Sequence, residues 1–169
     1  MKSLFCCFSQ ASAQNLAPSH SPTRRCITPP PIRSPTRIRA QASHWEHTHI
    51  QLPLTAPWDA EIPPSNVPRL LNGFIPRDMD DKWFIYAEDV DAQGDVLVRF
   101  CRSWTGIERL VLKVRVELDD KGGVNEDAGA KVTQMTWDGG EWNPGEDAVK
   151  EMAIQACEYI LECELIVAK

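Results

Sequence analysis

The strongest alternation of apolar and polar residues in the chain runs from Glu108 to Leu118. Leu110, Leu112, Val114, Val116 and Leu118 fall on one side, and Arg109, Lys113, Arg115 and Glu117 on the other. A period of two predicts a half-buried strand, and a slip by one residue would bury three cations, so its register is well specified. The stretch from Val96 to Trp104 alternates in the same way. It puts Val96, Val98, Phe100 and Trp104 on one face and Leu97, Arg99, Cys101 and Ser103 on the other. Lys82 to Glu88 is aromatic and β-branched on both faces, which predicts a central strand covered from both sides. A fourth strand is predicted from Ala130 to Trp137. The segments Asp89–Asp95, with Gly94, and Thr105–Gly106 read as turns, and Asp119–Gly129 as a polar loop.

The period changes after residue 143. Asn143-Pro144-Gly145-Glu146 reads as a helix start, with an N-cap, a proline at the first helical position and a glutamate at the third. Val149, Met152, Ala153, Ala156, Ile160 and Cys163 then form a stripe at helical spacing. Strands joined by short turns and followed by one helix predict an α+β fold: a small antiparallel sheet of about four strands, with a C-terminal helix packed on one face.

Upstream the pattern fades. Residues 1–44 hold six prolines among Ser, Thr, Arg and Gln, with too little apolar surface to offset the entropy of ordering. They are expected to form a disordered basic leader. Residues 45–76 carry six more prolines, but also Trp45, Trp58, Leu70, Leu71 and Phe74, which favour burial. This predicts a partly ordered arm draped over the domain, with a helical turn near Val67–Leu71. The folded domain is then 77–169.

Charge sharpens that division. The net charge of −6 averages two unlike segments. Residues 1–44 hold six of the eighteen basic residues and no acidic one, leaving twelve against twenty-four carboxylates in the remainder. At −12, the chain beyond residue 44 repels nucleic acid. No apolar run reaches the roughly 18–20 residues that span a bilayer. The six cysteines include no C-x-x-C pair, and Cys157 and Cys163 stand too far apart along a helix for a disulfide.

Two stretches carry a resemblance: Met79-Asp80-Asp81-Lys82-Trp83-Phe84-Ile85-Tyr86 and Arg102-Ser103-Trp104-Thr105-Gly106. Together they resemble an uncharacterised group of small bacterial and fungal proteins that pair an M-[DE]-D-K-W-F-I-Y strand with an R-S-W-T-G turn. The match covers roughly residues 74–137. It implies a shared fold and a loose association with ADP-ribose-handling modules, and it transfers no catalytic residue.

The candidate ligand site is the cluster Arg102, Trp104, Trp83 and Asp81. A guanidinium beside indole faces can hold an anionic or planar group. The same residues can instead lock a hairpin, with Arg102 bridging to Asp80 or Asp81. Asp78, Asp80 and Asp81 read as a solvated strand cap rather than a cation site, and the loop 138–147 lacks calcium-loop spacing. His44, His47 and His49 share no single face, and no histidine follows residue 49, which argues against a histidine-dependent triad. No cofactor or metal is implied. The leading expectation is a non-catalytic binding or interaction module whose partner is a protein or a small anionic ligand. The alternative is an enzyme or accessory factor in nucleotide or ADP-ribose metabolism. The acid-free leader suits a mitochondrial address; cytoplasmic residence, or tethering through acylated Cys6 and Cys7, are the alternatives.

Overall fold

The computed structural model describes residues 38–78, 80–125, 127–141 and 143–167. Its centre is one antiparallel sheet of six strands: β1 (Pro53–Ile62), β2 (Trp83–Ala87), β3 (Asp95–Arg102), β4 (Glu108–Val116), β5 (Ala130–Asp138) and β6 (Ile166–Val167). The order across the sheet is β2-β3-β4-β5-β1-β6. Helix α1 (Val67–Asn72) follows β1, and α2 (Glu146–Ala156) follows β5, continued by a π-helical turn over Cys157–Leu161. Among the described residues no helix is long and apolar enough to cross a membrane.

The sheet therefore has six strands, not about four. The proline-rich arm supplies β1, which pairs along its length with β5. Proline removes a ladder donor and is confined to edges and bulges. Pro53 and Pro57 fit because β6 covers only Ala60 and Glu61 of β1, leaving the other margin of the strand open. A register shift between Pro57 and Ala60 absorbs the remaining misfit. The helical turn forecast near Val67–Leu71 is α1, and the four strands read from alternation are β2 to β5.

Strand β2 is buried throughout, as its composition predicts, but it stands at the edge of the sheet rather than at its centre. Phe74 shields that edge, donating to Ile85 O at 2.7 Å and accepting from Ile85 N at 2.9 Å. Trp83, Ile85 and Ala87 enter the main core with Val98, Phe100, Leu112, Val114 and Met135, beneath Val149, Ala153 and Ala156 of α2. Phe84 and Tyr86 face the other way, into a small second cluster with Ala40 and Cys101. Residues 38–50 roof that cluster. Ala40 is fully buried and its N–H donates to Asn72 O at 2.7 Å, so packing begins inside the segment expected to be leader. Cys6, Cys7 and the remainder of the leader lie outside the described residues.

Helix α2 starts two residues later than the Asn143 signal suggests, with Gly145 at the N-cap and φ 86°. Asn143 Oδ1 instead accepts from Trp137 Nε1 and from the Gly145 N–H. The chain leaves the π turn at Glu162 in the left-handed region (φ 53°). Cys163 is therefore buried beyond the helix rather than on its stripe.

Candidate functional site

The end of the sheet where β2 begins and β3 finishes carries the first constellation. Trp83 and Arg102 stand directly opposite in the β2–β3 register, so their side chains share a face. The Arg102 guanidinium lies over the indole of Trp83, 4.2 Å from the ring centroid, within the range of a cation–π contact. Burial, and then the nearby charge of Arg109, lower the Arg102 pKa from its ordinary value. No carboxylate among the described residues forms an ion pair with Arg102 to offset that penalty.

This guanidinium lines a cavity of about 650 Å³ between the sheet end and the second half of α2. Phe74, Met152, Tyr159 and Ile160 supply apolar wall, and Asp80, Asp81, Lys82 and Glu162 supply charge. The rim is built by a tight turn in which Asp78 Oδ1 accepts from Asp80 N at 3.0 Å and Asp81 Oδ2 accepts from Arg77 N at 2.8 Å. Three of the four expected site residues, Trp83, Arg102 and Asp81, thus meet at one cavity. Trp104 does not join them. It stands in the turn after β3, is 69% exposed and is absent from the cavity lining, so it does not continue the apolar face of β3. The bridge from Arg102 to Asp80 or Asp81 that a hairpin lock would use is not formed.

The second constellation escaped the sequence pattern. His47 and His49 of the roofing segment sit over β2, β3 and β4. His47 Nε2 meets Tyr86 Oη at 2.9 Å, and His49 Nδ1 meets Glu108 Oε1 at 3.3 Å. Glu108 is 1% exposed and is fully engaged: Arg99 Nη1 donates to Oε1 at 2.8 Å and the Ile50 N–H to Oε2 at 3.1 Å. Arg99 also donates to Glu88. Burial acts against the charge on Arg99, but the hydrogen bonds to Glu108 and Glu88 outweigh it and raise the pKa. Burial, only partly offset by Arg99, pushes the Tyr86 hydroxyl up to about 12. Burial and the Glu108 charge push the Cys101 thiol up to about 12.

Two of the three clustered histidines, His47 and His49, thus dock on the sheet. One signal was present, since His47 and His49 are two apart and share a face when extended. Glu108 was hidden by a bulge. By parity it belongs with Leu110, but the register pairs Phe100 with Leu110 and Cys101 with Glu108, so Arg109 is the extra residue and Glu108 turns to the second face. Because Glu108 and Arg99 already have their partners within the protein, the network works as a clamp on residues 38–50. Two backbone bonds reinforce it: Thr48 N to Gly106 O at 2.9 Å and Glu108 N to Thr48 O at 3.0 Å. The Asp78 and Asp81 carboxylates serve the turn, and among the described residues no group of three or more metal-ligating side chains converges.

Compared with family models, curated proteins and solved structures, the chain matches none of them.

Proposed function

We propose that the protein is a non-catalytic binding module for a small ligand with one negative charge and a flat or apolar body. The observation that carries this reading is the half-buried Arg102 guanidinium, stacked on Trp83, unpaired with any described carboxylate and facing a cavity of ligand size. A guanidinium in that state binds a carboxylate or phosphate at reduced competing cost, because part of its desolvation is already incurred in the unliganded protein. The non-catalytic part of this reading is supported by the His–Tyr–Glu network, in which Glu108 and Arg99 are already engaged by groups of the protein itself.

The nucleotide or ADP-ribose reading competes for the same cavity. A diphosphate brings at least two negative charges to a lining of three carboxylates and two cations, which favours a monoanion instead. Calorimetric titration with indole-3-acetate and 2-naphthoate tests the proposal. Saturable binding that is lost in Arg102→Ala is expected. Equal binding to that variant, or none to the wild type, would overturn it.

A further inference from the structure

The cavity that holds Arg102 also holds a second charge without a partner. Among the described residues the Asp80 carboxylate takes part in no hydrogen bond or ion pair, whereas Asp81 accepts from Arg77 N and Glu162 is bound by Arg69 at 2.8 Å. Asp80 and Arg102 line the same cavity and do not pair with each other. Lys82, in the same lining, likewise forms no ion pair among the described residues, so the cavity offers unpaired charge of both signs, which is best answered by a ligand that carries both.

We propose that the occupant is a zwitterion: a free α-amino acid with a large apolar side chain. This rests on the reading of Arg102 as an anion site given above. The carboxylate lies on the Arg102 guanidinium, where a planar fork matches its geometry. The ammonium faces Asp80, and the side chain packs on Trp83, Phe74, Met152 and Ile160. The charge balance agrees, because a net neutral ligand adds nothing to a lining already one unit negative. Size agrees as well, since about 650 Å³ lies within the usual 300–1,000 Å³ of small-ligand sites.

Calorimetric titration of the full chain with three probes tests this: L-phenylalanine, N-acetyl-L-phenylalanine and L-phenylalaninamide. The acetyl group removes the positive charge and the amide removes the negative one. Free phenylalanine is expected to bind at least about tenfold more tightly than either derivative, the usual loss when a charged hydrogen bond is broken. Asp80→Asn is expected to remove the preference over the acetyl derivative. Asp80 is exposed, so this variant keeps the fold even if Arg102→Ala does not, and circular dichroism confirms it. Equal affinity for phenylalanine and its acetyl derivative overturns the zwitterion and leaves the anion site standing. Binding of indole-3-acetate without phenylalanine does the same. Failure of every probe, aromatic monoanions included, overturns both.

Discussion

Arg102 and Trp83, cross-strand neighbours on β3 and β2, form a cation–π pair at 4.2 Å whose outer side opens on a cavity. Such a pair contributes about 0.5–2 kcal/mol, and the burial of an unpaired guanidinium acts against it. Arg102→Ala is therefore expected to change the unfolding free energy by about 1 kcal/mol or less while abolishing ligand binding. Urea denaturation measures the first quantity. A loss of about 3 kcal/mol or more would return these residues to the role of a hairpin lock.

Glu108 behaves differently. It is nearly inaccessible, and its removal leaves Glu88 as the one carboxylate on the Arg99 guanidinium among the described residues. Breaking a buried ion pair by deleting one partner costs about 3–5 kcal/mol. Glu108→Ala is expected to fall in that range and to free residues 38–50, seen as faster amide exchange at Thr48. A cost below about 1 kcal/mol would show that the network does not clamp the segment.

Alkaline stability follows from Tyr86, whose hydroxyl is raised from 10.0 to about 12 by burial. The folded state holds this proton more tightly than the unfolded one. The contribution is complete below pH 10 and is lost as the pH rises from 10 through about 12. Tyr86→Phe should thus show a shallower fall of stability across that window than the wild type. Parallel curves between pH 9 and 12 would contradict the assignment.

The three described cysteines, Cys101, Cys157 and Cys163, are free and buried, and burial raises all three thiols. The thiolate is the reactive form. Iodoacetamide at pH 8 is expected to leave these three unmodified in the native protein and to label them in denaturant, read by peptide mass spectrometry. Native labelling of Cys101 would mean that the 38–50 segment opens readily.

Gly106 tests the same segment sterically. It has φ 65°, and a Cβ there would lie 2.5 Å from Glu46 O, whereas Gly122, at φ 80°, has open space. Both substitutions by alanine carry left-handed strain of about 1 kcal/mol. Only Gly106→Ala should add a further loss by pushing the segment away, so it is expected to be clearly the more destabilising by thermal melting.

Strands β3 and β4, the turns at Gly94 and Gly106 and the apolar face of α2 were legible in the sequence, because each is a local period or a local φ requirement. The same logic brought Trp83, Arg102 and Asp81 into one candidate site: a strand pair closed by a short turn leaves few choices of cross-strand neighbour. What tertiary structure alone decided is non-local. Proline is read as strand-breaking until the missing donor is shown to face an uncovered margin, so β1 was invisible until β5 and β6 took their places. Strand β2 reads as central from its double burial, yet a roof and the Phe74 bridge supply that burial at the sheet edge. Glu108 changed face through one bulge, which alternation cannot register. Composition and period thus determine which residues want burial and in what local form. Which surfaces provide the burial, and which charges are left facing a cavity, depends on partners tens of residues away.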